Sequence, residues 1–241
     1  MKIMALDSSA MVATVAVMED EKLLGEYTLN YKRNHSQTLM PMIEQILTDL
    51  ELVPGDIDIF AASTGPGSFT GLRIGVTSIK AMAYALGKSV IGVPTLDAMA
   101  YNMPMNKHIV CPMLDARNNQ VYTALYNWNE GTQDRCTEYM GVTVENLIDI
   151  IRDTGKKVIF IGDAVQLHKE FLKSRLGDYC MFAPGSLRLQ RAASVACIAY
   201  QKALEGNLES SFEMLPFYLR KSQAEREYDK MLHKPQKDEK R

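Results

Sequence analysis

The sequence predicts an α/β protein built as two lobes of similar topology, each a mixed β-sheet flanked by helices. Three observations lead there. Strand-like and helix-like patterns alternate along the first hundred residues, the signature of a largely parallel sheet covered by helices. A short pattern near the N-terminus returns later in the chain, so that Leu6-Asp7 lines up with Leu114-Asp115 at an offset of 108 residues. The 241 residues are 46% apolar and 23% charged, which is enough for a buried core and too apolar for a disordered chain.

Residues 2–7 form an apolar run ending in Asp7, Ser8-Ser9-Ala10 reads as a turn, and residues 11–18 resume with Val12, Val15 and Val17: a β-hairpin with a carboxylate at its bend. A third strand is predicted across Lys22–Leu29. Leu39, Met42, Ile43, Ile46, Leu47 and Leu50 then repeat at helical spacing, predicting an amphipathic helix over 36–51 with Pro41 in about its first turn and Val53-Pro54-Gly55 at its end. Residues 57–62 read as a buried strand, Ser63–Ser68 as a glycine-rich turn, Thr70–Leu86 as a helix closed by Gly87, and Ser89–Val93 as a further strand. The second half repeats this order. Strands are predicted at Ile109–Leu114 and Val121–Tyr126, a helix at Val144–Arg152, a strand at Lys157–Ile161, a turn at Gly162-Asp163, a helix at Val165–Leu176 and a short strand at Tyr179–Phe182. Residues 187–204 form a last long helix, a candidate to pack back on the first lobe. The predicted division is 1–104, 105–221 and a charged tail over 222–241, with Ser222–Arg241 too poor in apolar residues to hold a fold alone.

The formal charge of −2 gives no overall pull toward nucleic acid, so any tie to RNA is expected to be indirect. An acidic residue breaks the first apolar run, and no stretch approaches a membrane span, so the chain is expected to stay in the cytoplasm. Cys111, Cys136, Cys180 and Cys197 stand singly and read as reduced packing residues.

Few residues offer chemistry. A hairpin with a carboxylate at its bend, duplicated in two facing lobes, is how the sugar kinase, heat-shock chaperone and actin superfamily holds a nucleotide and its magnesium, which makes Asp7, Ser8 and Asp115 candidate remnants of a nucleotide site. Turn chemistry gives Asp7 and Asp115 an alternative use, since Asp accepts local backbone hydrogen bonds at bends. Gly65-Pro66-Gly67-Ser68-Phe69-Thr70-Gly71 joins a strand to a helix start that is able to hold an anion, yet it lacks the Gly-Lys-Ser/Thr ending of a P-loop. The alternative for Gly65, Gly67, Gly71 and Gly75 is a tight turn plus close packing, Gly71 and Gly75 leaving a flat strip suited to another helix. His35, His108, His168 and His233 lack metal-site spacing, and neither Ser36 nor Ser68 sits in a nucleophile motif, so no metal, cofactor or catalytic residue is predicted.

Ser63 through Gly75 of this glycine-rich stretch, Asn34-His35-Ser36-Gln37 with Leu39-Met40-Pro41-Met42, Met113-Leu114-Asp115-Ala116-Arg117 and Pro216-Phe217-Tyr218-Leu219-Arg220 together resemble the TsaB family, over residue 1 to about Arg220. The resemblance implies two actin-like (ribonuclease H-like) lobes and a cytoplasmic scaffold subunit needed for threonylcarbamoyladenosine in tRNA. It implies association with a TsaD-like catalytic subunit and a TsaE-like ATPase, and a homodimer when alone. Where TsaD carries a metal-binding His-Met-Glu-Gly-His run, this chain reads Thr95-Leu96-Asp97-Ala98-Met99, and a hydroxyl with a thioether cannot replace two imidazoles. The family joins partners through its first two long helices, so Leu39, Met42, Ile46, Arg73, Val76, Ile79 and Lys80 are interface candidates, though one apolar stripe on each helix must cover its own sheet. A metallopeptidase and a small-molecule kinase are the competing readings; the first wants better metal ligands than Thr95 and Met99, the second a recognisable adenosine pocket beside Asp7 and Asp115.

Overall fold

Near-continuous apolar runs build the inner strands of the first sheet. Strands β1 (Lys2–Asp7), β2 (Ala13–Glu19), β3 (Lys22–Leu29), β4 (Ile59–Gly65) and β5 (Ser89–Pro94) lie in the order β3-β2-β1-β4-β5, the hairpin strands antiparallel and β4 and β5 parallel to β1. The computed structural model describes residues 1–31 and 34–220, so the predicted tail Ser222–Arg241 lies outside the described residues. The second sheet comprises β6 (Ile109–Asp115), β7 (Gln120–Thr123), β8 (Tyr126–Asn129), β9 (Thr132–Arg135), β10 (Met140–Thr143), β11 (Val158–Ile161) and β12 (Cys180–Phe182). Its path is β10-β7-β6-β11-β12, with the β8–β9 hairpin attached beside β6. The helices are α1 (His35–Asp49), α2 (Phe69–Leu86), α3 (Thr95–Ala100), α4 (Val144–Thr154), α5 (Ala164–Leu176) and α6 (Ala192–Leu204).

The central strands β1, β4, β6 and β11 are buried on both faces, as parallel strands require. In β1, Met4 and Leu6 meet Leu39, Ile43 and Ile46 of α1 and Val76 and Ile79 of α2, while Ile3 and Ala5 meet Val195, Ala196 and Ala199 of α6. In the second sheet, Ile109, Cys111 and Phe160 pack on α4 and α5, and Val110, Ile159 and Ile161 on Leu96 and Met99 of α3. The layers thus run α1/α2, first sheet, α6 with α3, second sheet, α4/α5, and the two α/β lobes predicted from the sequence are present.

Local differences have local causes. The strand predicted over Val121–Tyr126 breaks into β7 and β8 at Ala124-Leu125, because Leu125 turns into the core beneath α4 while Tyr126 faces α3. Pro41 lies inside α1, beyond the first turn; it and Gln37, whose carbonyl loses its intrahelical donor, are both exposed. The last helix begins at Ala192 and not at 187, since the Leu187 and Leu189 carbonyls accept hydrogen bonds from the Asn102 side chain and leave the helical pattern. All four cysteines are free; Cys111 packs in the core, but Cys136 is exposed and fills no core position. Among the described residues, no helix is long and apolar enough to cross a membrane.

Candidate functional site

A cleft of about 680 Å³ opens between the lobes where β1, β4 and β6 end. One wall is the turn after β1 (Ser9 to Met11) with Pro66 to Thr70 at the start of α2; the other holds Asp115, Arg117, Tyr122 and Asp163, and Phe217 to Arg220 border both.

Asp7 and Ser8 are not part of it. The Asp7 carboxylate is fully buried, and its Oδ1 accepts from the Ser9 amide at 2.8 Å and the Ser9 hydroxyl at 2.6 Å while Oδ2 accepts from the Ser63 hydroxyl. Burial pushes its pKa up, against the opposing pull of those hydrogen bonds. Asp7 therefore organises the bend, and its candidacy as a cleft ligand is corrected: its acceptor positions face protein donors. Ser8 is buried with its hydroxyl on the Gly71 carbonyl at 2.9 Å.

The four glycines explain the seal. A Cβ on Gly67 would overlap the Ser9 carbonyl, one on Gly71 the Ser8 carbonyl, one on Gly75 the Ser8 hydroxyl, and one on Gly65 the Phe217 carbonyl. The strip formed by Gly71 and Gly75 thus accepts the turn after β1; the expectation of a second helix lying there is corrected, because the carbonyl and hydroxyl of Ser8 fill it. Ser68 caps α2, accepting from the Gly71 amide at 3.3 Å, and its own amide donates to the Ser9 carbonyl at 2.6 Å.

Asp115 is the one remnant candidate that reaches the cleft. It is exposed, and among the described residues its Oδ1 accepts a local bond from the Arg117 amide at 2.7 Å. Beside it Asp163, whose Oδ1 accepts the Asp115 amide at 3.1 Å, was not singled out from sequence. Its pKa is raised chiefly by burial, with the Asp115 charge adding to the rise. A signal existed: β11 runs parallel to β6, so the Gly162-Asp163 turn that follows it shares the sheet edge with Asp115.

The place where a metal motif would fall is α3. Thr95 and Met99 are fully buried, and Asp97 accepts the Tyr126 hydroxyl at 2.6 Å and the Tyr139 hydroxyl at 2.8 Å. These residues do not fit a divalent ion, since the one carboxylate is already bonded to two phenols. Among the described residues no group of three or more His, Cys, Asp or Glu side chains converges as a metal site.

A second recess, an apolar groove of about 540 Å³, runs between α1 and α2 and includes His35, Met40, Arg73, Thr77 and Ala81. Of the seven interface candidates, Leu39, Ile46, Val76 and Ile79 are at most 2% exposed and belong to the first lobe's own core. Their assignment to a partner surface is corrected: each helix spends its strongest apolar stripe on the sheet, and only Leu39 reaches the floor of the groove. Met42 packs at the core's edge. Lys80 donates to the Met214 carbonyl at 2.8 Å, and Arg73 lies over the Phe69 ring with its Nε 3.2 Å from the Tyr218 hydroxyl.

Residues 22–228 match the family described as TsaD, tRNA N6-adenosine threonylcarbamoyltransferase. The tRNA threonylcarbamoyladenosine biosynthesis protein TsaB of Buchnera aphidicola is 30% identical over 67% of this chain and 78% of its own length. The chain belongs to the TsaD family, on its TsaB branch. The Bacillus subtilis TsaB protein agrees at 29% identity over 93% of this chain and 96% of the relative. A structure titled YeaZ from Pseudomonas aeruginosa superposes with a TM-score of 0.74 at 23% identity, covering 90% of this chain and 99% of that one, and so shares its fold.

Proposed function

We propose that this chain is a non-catalytic scaffold subunit required for threonylcarbamoyl modification of the adenosine next to the tRNA anticodon. In this reading it binds a TsaD-like catalytic subunit and a TsaE-like ATPase, pairs with itself when alone, meets tRNA only through them, and works in the cytoplasm. The observation that carries the reading is the groove between α1 and α2 on a chain of the TsaB branch: an apolar recess on the outer face of the first lobe, bordered by Met40, Thr77 and Ala81, which are free of the lobe's own core. The saturated Asp7 and the Asp97–tyrosine cluster support a structural over a catalytic role. The division into residues 1–104 and 105–221 belongs to this proposal, with α6 covering the first sheet.

Mass spectrometry of tRNA nucleosides from cells depleted of the chain tests the function. Loss of threonylcarbamoyladenosine, restored by the intact chain and by Asp115→Ala, is the expected result; unchanged modification on depletion would sink it. The groove is tested by Met40→Asp, which places a charge on a half-exposed position and should leave the fold intact while removing the TsaD-like partner from the complex peak on a sizing column. Val76→Asp is the contrast: buried in the core, it should unfold the first lobe.

A further inference from the structure

The last described residues cross from one lobe to the other. Their root is fixed in the first lobe: Glu209 bridges to Val90, Met214 is fully buried in the core beneath α2, and the Lys80 ammonium holds the Met214 carbonyl. The Phe217 amide then donates to the Thr64 carbonyl at 2.7 Å, and the Tyr218 ring stacks on Phe69 with centroids 4.5 Å apart. From there the segment touches the second lobe. The Phe217 ring lies 5.6 Å from that of Tyr139, and Arg220 donates to the Ala116 carbonyl at 3.4 Å with its guanidinium near the Tyr122 ring.

Tyr139 ties this crossing to another. Its hydroxyl donates to both Asp97 oxygens at 2.8 and 2.9 Å, joining the second sheet to α3, and the Arg135 guanidinium covers its ring at 3.8 Å. Two-lobed proteins move about their interface by default unless contacts across it hold them together. Here a segment anchored in one lobe, and a carboxylate shared by two phenols, meet on one side chain.

We propose that Phe217–Arg220 is a clasp that holds the two lobes at one fixed separation, with Tyr139 the residue on which the clasp and the Asp97 hydrogen bonds converge. The cleft is thereby kept at constant width, and its shape depends on the chain's own C-terminal segment and not on a ligand closing it. Gly65 is part of the device, since only a residue without a side chain lets the Phe217 carbonyl seat against β4.

Hydrogen exchange measured by mass spectrometry on the full chain, with small-angle scattering of the same samples, tests this. In Phe217→Ala/Arg220→Ala, peptides covering residues 64–70 and 115–121 should exchange about tenfold faster, the size expected from losing one aromatic contact and one hydrogen bond, while peptides from β1 and β11 keep the parent rate. The radius of gyration should rise. Arg220→Ala alone, at a half-buried position outside both cores, and Tyr139→Phe, which keeps the ring against Phe217 but loses both bonds to Asp97, should each give a smaller effect at the same peptides. Leu215→Ala, 70% exposed on the same segment, should change nothing. Parent rates at 64–70 and 115–121 in the double variant would overturn the proposal, as would a uniform rise in every peptide, which would make the segment one part of a single cooperative core.

Discussion

The bends that follow β1 and β6 occupy equivalent places in the two lobes and carry the same residue, yet Asp7 is sealed and Asp115 is open. In the first lobe, α2 starts hard against the bend, because Gly67 and Gly71 let the Ser9 and Ser8 carbonyls approach and Gly75 leaves room for the Ser8 hydroxyl, and Ser63 reaches in from β4 to complete the carboxylate's hydrogen bonds. In the second lobe α5 begins one residue after Asp163, and only Gly162 makes a comparable approach, onto the Met113 carbonyl. Equal topology therefore does not give equal chemistry; the environment of each aspartate is decided by how closely the next helix is allowed to approach.

The largest test of that contrast is Gly71→Ala. Its new Cβ would overlap the Ser8 carbonyl, and backbone cannot yield cheaply, so urea denaturation should show a loss of about 3 kcal/mol. A loss below a few tenths would mean that the seal at Asp7 has slack. Next comes Asp7→Ala, which leaves the Ser9 amide and the Ser63 hydroxyl without their acceptor and should cost about 2 kcal/mol.

Asp7→Asn is subtler. Because the folded pKa of Asp7 lies above the ordinary 3.8, the folded chain keeps this proton over a window in which the unfolded chain has released it. The stability it contributes is complete below the ordinary value and declines as pH rises through the folded one. Asn carries no charge at any pH, so the stability difference should shift in favour of the variant across that window; parallel pH profiles for the two proteins would show that burial does not penalise the Asp7 charge. The smallest effect belongs to Asp115→Ala, expected within about 0.5 kcal/mol of the parent because its surface carboxylate accepts a local bond. A cost comparable to that of Asp7→Ala would erase the distinction between the bends.

The elements that sequence reading recovers are those with a strong pattern: β1 is an apolar run buried on both faces, α1, α2 and α4 bury one stripe each, and α2 and α4 end at left-handed glycines, Gly87 and Gly155. What it missed lacks such patterns. β9 reads Thr-Gln-Asp-Arg with no buried residue, so neither alternation nor apolar content marks it as a strand. α3 is buried along nearly its whole length and is too short to show a helical stripe. The glycines were legible as a motif, but whether they approach a phosphate, a helix or a turn depends on what lies opposite, and Ser8, Ser9 and Phe217 are distant in sequence or on the far side of the bend. Four of the interface candidates, Leu39, Ile46, Val76 and Ile79, lie in the core for a related reason: in an amphipathic helix the most apolar residues are those its own sheet claims, and Met40, Thr77 and Ala81 stand out only once the covered face is known.

Placing α6 on the first sheet also sets an order of assembly. A ribosome makes β1 to β5 early, yet Ile3, Ala5 and Ala61 stay bare until Val195 to Ala199 arrive, and the core beneath α2 lacks Met214 until almost the whole described chain has emerged. The second sheet with α4 and α5, between Ile109 and Phe182, has its parts in hand sooner. The half of the molecule synthesised first is the half completed last.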